Sequence, residues 1–304
     1  MNAIEISGVT KTFGNVVAVD NLSLTVPRGS IYGFIGPNGS GKTTTMRMVV
    51  GIFHPDQGSI HVFGTERGGG IGYLPEERGL YRRMAVRTLL EFHGELRGGR
   101  NVSAQVNEWL TRLGLQEWAS RNVEALSKGM SQKVQFIAAV VPEPRLVILD
   151  EPFSGLDPVS AESIREAILE LRRRGTTVVL STHDMNVAET LCDRIFMIYR
   201  GKKVLDGTLH DIQDEYGSDT LRVSVDNASE VLKGLPGVEQ VRDLGQMQEL
   251  RMVPECDPQT VLRTLLSRTR VISFSIARPS LHDIFVRIAG PAAAEEEIEE
   301  VQHV

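Results

Sequence analysis

The sequence predicts an α/β fold, in which a largely parallel sheet carries a phosphate-binding site, followed by a smaller α+β domain. Three segments indicate the sheet. The apolar run 30–35 leads directly into a glycine-rich loop and the helix-like segment 44–50, and the apolar run 146–149 ends in two carboxylates. A β-branched run, 177–183, ends in a histidine. Because ligands of open α/β sheets bind at the carboxyl ends of the strands, we expect these three ends to converge.

The glycine-rich loop at 36–43 has the spacing G-x-x-x-x-G-K-[S/T] of a P-loop. Its glycines let successive backbone N–H groups point at phosphate oxygens, and the helix N-terminus adds partial positive charge. Lys42 is expected to reach the β- and γ-phosphates of a nucleotide, and the Thr43 hydroxyl to hold Mg²⁺. The alternative, a plain glycine turn, is disfavoured by the flanking strand and helix. The predicted nucleotide-binding residues here are Gly36, Pro37, Asn38, Gly39, Ser40, Gly41, Lys42, Thr43 and Thr44.

Two carboxylates follow the second apolar run. Asp150 is placed to support the Mg²⁺ shell, and Glu151 could polarise a water for in-line attack on the γ-phosphate. The alternative is a pair of carboxylates that merely begins a loop. Upstream, Ser127 is a good N-cap for the helical pattern 128–140, and Gly129 allows close backbone approach.

Taken together, these segments resemble the ATP-binding cassette (ABC) ATPases over about residues 2–215. Six motifs match in the order of that family: Phe13, the loop 36–43, the signature 126–130, the strand 146–151, the D-loop 154–157 and His183. The resemblance implies that Phe13 stacks on adenine, that Glu151 is the catalytic carboxylate and that His183 senses the γ-phosphate. It also implies that Ser127 and Gly129 contact the γ-phosphate bound by the opposite subunit.

Three positions depart from the family pattern. Glu76 stands where most members carry a glutamine that helps to hold Mg²⁺ and the attacking water. A carboxylate can also bind Mg²⁺, so Glu76 is predicted to be a metal or water ligand. In the signature, Lys128 replaces a glycine and Met130 a glutamine. Lys128 either adds positive charge near the phosphate or points into solvent.

The resemblance further implies a partner set. The chain is expected to bind ATP and Mg²⁺, to dimerise with a second copy or a homologous cassette, and to drive a separate integral-membrane permease. The amino-acid sequence of 73–81 resembles that of the sodium- and drug-efflux type of ABC-2 exporter ATPases. The candidate permease contact is Tyr81, Arg82, Arg83 and Met84, with an ordinary solvated turn as the alternative. The expected location is cytoplasmic, on the inner face of the cell membrane.

Composition agrees with this interpretation. No apolar run approaches the roughly 18 residues needed to span a bilayer, so the pore is expected to belong to another chain. The net charge is −6, but five glutamates between 295 and 300 supply most of it. The nearly neutral remainder gives no reason to expect nucleic-acid binding. Two alternatives stay open: a soluble ABC switch acting on a non-membrane assembly, and a nucleotide sensor that barely hydrolyses ATP.

The domain organisation predicted from the sequence has three parts. Residues 1–215 form the cassette, with a helical subdomain at about 78–140. Residues 220–290 show the order β-α-β-β-α-β, which predicts a ferredoxin-like accessory domain, and Leu281, Ile284, Phe285 and Ile288 mark one face of a closing helix. Residues 291–304 form an acidic tail that is predicted to be disordered.

Overall fold

The computed structural model describes residues 2–65, 70–77, 79–217, 220–226, 231–253 and 256–290. The chain divides into two compact units, with the division between Thr208 and Leu209. The sequence prediction ends the cassette at 215, so the helix Leu209–Glu215 falls in the second unit here. The predicted tail, 291–304, lies outside the described residues.

The first unit holds nine strands among its described residues. They are β1 (Asn2–Phe13), β2 (Val16–Pro27), β3 (Ile31–Ile35), β4 (Gln57–Val62), β5 (Ile71–Leu74), β6 (Leu146–Asp150), β7 (Thr177–Thr182), β8 (Arg194–Tyr199) and β9 (Lys202–Gly207). The helices are α1 (Lys42–Val49), α2 (Val86–Leu96), α3 (Val102–Arg112), α4 (Lys128–Val140), α5 (Pro158–Arg173) and α6 (Met185–Leu191).

Six of the strands form one sheet in the order β5-β6-β7-β3-β8-β9. Its pairs are parallel except β8 with β9, which is antiparallel. Every residue of β3, β6 and β7 is buried, as a parallel strand covered on both faces requires. The predicted α/β class is confirmed, and the carboxyl ends of these three strands lie side by side.

A second sheet, in the order β2-β1-β4, is antiparallel. Its β1–β2 hairpin turns at Gly14 and Asn15, so that Phe13 lies opposite Val16. The strand β4 was not predicted. Helices α2, α3 and α4 pack in an apolar cluster that also includes residues of β3, β6 and β7. Within it, the rings of Trp109 and Phe136 meet edge to face, with their centroids 5.8 Å apart.

The second unit contains α7 (Leu209–Glu215) and a four-stranded sheet of β10 (Thr220–Val225), β11 (Val238–Asp243), β12 (Gln248–Met252) and β13 (Val271–Ala277). The order is β11-β12-β10-β13, with every neighbouring pair antiparallel. That is the strand arrangement of the predicted ferredoxin-like domain. The helix predicted at 229–233 lies largely outside the described residues.

Two further helices, Pro258–Arg268 and Leu281–Ala289, complete the described part of this unit. Leu281, Ile284 and Phe285 are fully buried, whereas Ile288, assigned to the same face from the sequence, is 39% exposed. Across the described residues, no helix has the length and apolar character needed to cross a membrane.

Candidate functional site

The glycine-rich loop joins β3 to α1 and depends on two glycines. Gly36 has φ 154° and Gly41 has φ 109°, a region that favours glycine. A Cβ atom on Gly36 would lie 2.1 Å from the carbonyl oxygen of Ile198, and one on Gly41 would lie 2.5 Å from that of Ala18. The loop is therefore held between β8 and the β1–β2 hairpin, and neither position accepts a side chain.

The side chain of Lys42 lies across this loop. Its Nζ donates hydrogen bonds to the carbonyl oxygens of Gly36, at 2.6 Å, and Pro37, at 3.0 Å. The side chain is buried, and its ammonium group lies within the loop that the sequence assigns to phosphates. One cleft is lined by Ala18, residues 38–44, Glu76 and Glu151.

Asp150 ends β6 beneath this cleft. Its Oδ1 accepts hydrogen bonds from the Ser181 hydroxyl, at 2.5 Å, and the Thr43 hydroxyl, at 3.3 Å. Its Oδ2 is buried and has no hydrogen-bond partner among the described residues. Burial raises the pKa of Asp150, and the two hydroxyl hydrogen bonds oppose that shift. Sequence reasoning did not assign Ser181 a role, although the polar residues at the end of β7 were the available signal.

These oxygens fit a hard cation. An orphaned carboxylate oxygen beside the Thr43 hydroxyl offers the donors that Mg²⁺ prefers. Glu76 lines the same cleft, and burial, followed by the charges of Asp150 and Glu151, raises the pKa of Glu76. Within the described ranges, no group of three or more His, Cys, Asp or Glu side chains is spaced to hold a metal by itself. Phosphate and water oxygens would therefore complete the shell.

Glu151 and His183 are in direct contact. Glu151 has φ 48°, unusual for a residue other than glycine, and its N–H donates to the carbonyl and hydroxyl oxygens of Ser181, both at 3.2 Å. This backbone turn places Oε1 of Glu151 3.0 Å from Nδ1 of His183. The hydrogen bond to Glu151 raises the pKa of His183, and partial burial of the ring opposes the shift.

A pH titration should detect this contact. We expect the imidazole of His183 to titrate above its ordinary pKa of about 6.5, and the Glu151→Gln variant to return it toward that value. Because the folded-state pKa is raised, the contact stabilises the fold below about pH 6.5, and this contribution is lost as pH rises through the raised pKa. NMR titration of the His183 ring measures its pKa in the parent protein and in Glu151→Gln. Identical titration curves for the two proteins would contradict the contact.

The remaining predicted residues lie outside the cleft of a single chain. Phe13 ends β1 and is 43% exposed, and the hairpin continues to Ala18 at the cleft wall. Ser127 caps α4 as predicted, with its Oγ accepting from the N–H of Met130 at 3.2 Å. A Cβ on Gly129 would meet the Ser160 hydroxyl at 3.3 Å. Neither signature residue lines the cleft.

Lys128 is exposed, and its ammonium group lies over the D-loop of its own chain. A Cβ on Gly155 would stand 2.1 Å from Nζ of Lys128. Gly155, which has φ 64°, therefore leaves space for this side chain. The structure favours neither of the two sequence alternatives outright, since the ammonium group rests on protein and remains open to solvent.

Comparison with known proteins agrees with this geometry. Residues 19–154 match the family described as ABC transporter, and residues 207–289 match the family described as ATP-binding protein DrrA1-3-like, C-terminal domain. An uncharacterised ABC transporter ATP-binding protein of Bacillus subtilis (strain 168) is 38% identical, over 94% of this chain and 98% of its own length. Nod factor export ATP-binding protein I of Rhizobium sp. (strain N33) is 33% identical, over 95% and 97%.

Solved structures give the same fold. The ATP-binding subunit of an ABC transporter superposes with a TM-score of 0.66 at 29% identity, covering 70% of this chain and 93% of its own. A dimeric ATP-binding cassette in a post-hydrolysis state, bound to ADP and Pi, gives a TM-score of 0.63 at 24% identity, covering 68% and 98%. The chain therefore belongs to the ATP-binding proteins of ABC transporters, a family of ATP-hydrolysing transporter subunits.

Proposed function

We propose that this chain binds ATP with Mg²⁺ in the cleft, hydrolyses it with Glu151 as the base, and thereby drives a separate permease of the ABC-2 export type. One observation carries the proposal: the carboxyl ends of β3 and β6, on either side of β7, bring Lys42, Asp150 and Glu151 to a single site. Phosphate binding, cation binding and a base are the three requirements of phosphoryl transfer to water.

Each side chain has a proposed task that its surroundings support. Lys42 would exchange the carbonyl oxygens of Gly36 and Pro37 for the β- and γ-phosphates. Thr43, Asp150 and Glu76 would hold Mg²⁺, which neutralises phosphate charge when it is bound. Glu151 would accept a proton from the attacking water. His183, already in contact with that carboxylate, would orient it and respond to the γ-phosphate.

The site of one chain is incomplete in this proposal. Ser127 and Gly129 lie outside the cleft, so they can reach a nucleotide only across an interface with a second cassette. We therefore propose a dimer that encloses two ATP molecules, each held by the loop of one subunit and the signature of the other. Phe13, exposed on the hairpin beside the cleft wall, would stack on the adenine base.

The proposed direction of transport is export, and the chain would sit on the inner face of the membrane. The relative from Rhizobium is named for Nod factor export, and the resemblance over 73–81 points to the same exporter class. In the helical region, Tyr81 is 59% exposed and rests edge to face on Phe92 at 6.3 Å. An exposed aromatic ring that packs against a second ring is suited to contact with a permease. We propose residues 81–84 as that contact.

Copurification tests the partner. The Glu151→Gln form, loaded with ATP and Mg²⁺ in native membranes and then solubilised gently, should retain a polytopic membrane protein. Lys42→Ala, which should bind ATP more weakly and so form less of the ATP-bound dimer, is the matched control for nucleotide-dependent capture. Recovery of only soluble assemblies, with none of the chain on membranes, would instead support the soluble-switch alternative.

The carboxylate at position 76 should make metal use unusual. We expect Glu76→Gln to keep ATPase activity and to shift its Mg²⁺ dependence, because the substitution removes one negative charge beside Asp150 and Glu151. Hydrolysis measured against Mg²⁺ concentration for both proteins gives the shift. Superimposable curves would remove Glu76 from the proposed metal shell.

A further inference from the structure

The ring of Phe13 is exposed on one side and supported on another. Its centroid lies 5.4 Å from that of Phe53, with the two rings nearly perpendicular at 71°. The ammonium group of Lys11 lies 5.4 Å from the same centroid, a cation–π distance. With 43% of its surface exposed, the ring still has room for a stacking partner. Two side chains from different segments thus fix an aromatic group at the end of a hairpin.

Asp56 holds the strand segment directly before this ring. Its Oδ1 accepts from Nζ of Lys11, and its Oδ2 accepts from the N–H of Thr12, both at 2.7 Å. Its own N–H donates to the carbonyl oxygen of Thr10 at 2.9 Å. The Lys11 ammonium group, followed by the Thr12 amide, holds the pKa of Asp56 below its usual range. Asp56 therefore contacts each of residues 10–12, and its carboxylate holds Thr12 and the lysine that faces Phe13.

The same segment is connected to the phosphate loop. Phe53 and Asp56 follow α1, which begins at Lys42 in the loop. The N–H of Phe53 donates to the carbonyl oxygen of Arg47, in the last turn of α1, at 3.3 Å. The helix α1 therefore connects the phosphate loop to the residues that support the ring.

We propose that Lys11, Phe53 and Asp56 are positioning residues that hold the Phe13 ring ready to stack on the nucleotide base. The inference rests on the proposed function, in which Phe13 meets adenine. An unsupported aromatic at a hairpin tip would have to be ordered on binding, and that lost freedom would weaken affinity. The support removes this cost, so its loss raises KM for ATP and leaves the chemistry at Glu151 unchanged.

The full-length Asp56→Ala variant tests this directly. We expect KM for ATP to rise about threefold to tenfold, with kcat unchanged, since partial loss of a stacking contact corresponds to about one decade of affinity or less. The inhibition constant of inorganic tripolyphosphate, which has no base to stack, should not change. Asp56→Asn keeps an acceptor for the Thr12 N–H, so its KM for ATP should lie between those of the parent protein and Asp56→Ala.

Glu91→Ala is the matched control. Glu91 also combines one ion pair, with Arg87 at 3.8 Å, and one hydrogen bond, from the Ser103 hydroxyl at 3.0 Å, but it lies on α2. It should leave KM and kcat for ATP unchanged. Phe53→Leu provides a second variant, in case Asp56→Ala folds poorly: it keeps an apolar side chain against the core and removes the aromatic ring beside Phe13.

The outcomes separate the inference from the function on which it rests. Phe13→Ala should raise KM for ATP at least as much as Asp56→Ala. If Phe13→Ala does so and both Asp56→Ala and Phe53→Leu match the parent protein, the positioning role is overturned and stacking stands. Equal losses of affinity for ATP and for tripolyphosphate would indicate a general structural effect, and they would also overturn the positioning role. If Phe13→Ala itself leaves KM unchanged, the stacking assignment fails, and the positioning role fails with it.

Discussion

Glutamine at position 151 is expected to lower ATP turnover by about 10²–10⁴, the usual contribution of a positioned general base. The amide keeps the size of the carboxylate but cannot accept a proton from water. The N–H groups and hydroxyls that shape the phosphate end of the cleft are untouched, so ATP binding should remain intact. Phosphate release in a single turnover, with nucleotide binding measured separately, distinguishes the two effects.

Glu143→Gln is the appropriate control for this substitution. Glu143 is another glutamate with positive φ, at 53°, and its carboxylate accepts a hydrogen bond from Gln105 away from the cleft. The control should retain the turnover of the parent protein. Near parental turnover in Glu151→Gln would discard Glu151 as the base and direct attention to Glu76, another carboxylate lining the cleft.

Alanine at position 42 is expected to weaken ATP binding by about tenfold to a hundredfold. Hydrogen bonds to a charged group contribute about 1.5–3 kcal/mol, and Lys42 is the side chain whose ammonium group lies within the phosphate loop. The fold should also lose stability, because the carbonyl oxygens of Gly36 and Pro37 would lose their donor. Titration with a fluorescent ATP analogue and a thermal melt measure the two losses.

Lys202→Ala is the matched lysine control. Its ammonium group lies 3.3 Å from Asp20 at the surface, and its removal should change neither affinity nor melting temperature appreciably. An affinity equal to that of the parent protein in Lys42→Ala would show that the backbone amides of the loop bind the phosphates without this side chain.

The sequence predicted the parallel sheet because its strands have a distinctive composition. In β3, β6 and β7 every residue is buried, and such strands appear as short uninterrupted apolar runs. The strand β4, Gln57–Val62, has no such run, and most of its residues are only partly buried or exposed. Its conformation follows from pairing with β1, a contact between segments distant in the chain. Single-segment patterns do not report such pairing.

The candidate site shows the same division. The spacing of 36–43 and the end of β6 predicted which residue types meet. The contacts that side chains in and around the site make in the folded chain were not predictable. The bonds from Thr12 and Lys11 to Asp56 join residues 44 and 45 positions apart, and the contact of His183 with Glu151 depends on a positive φ at a non-glycine residue. Sequence patterns specify residue types, whereas these contacts depend on the folded backbone.

The glycine-dependent loop between β3 and α1 has a consequence for the stability of the protein. Gly36 and Gly41 have φ values that favour glycine, and Lys42 is buried within the loop that they shape. Because the loop is held against the Ile198 and Ala18 carbonyl groups, which are distant in the chain, it takes this form only in the folded protein. A ligand that binds only the folded chain stabilises it in proportion to the logarithm of its concentration over Kd. ATP would thus stabilise the folded chain as well as serve as its substrate, and the free energy of unfolding of this subunit would decrease as the ATP concentration falls.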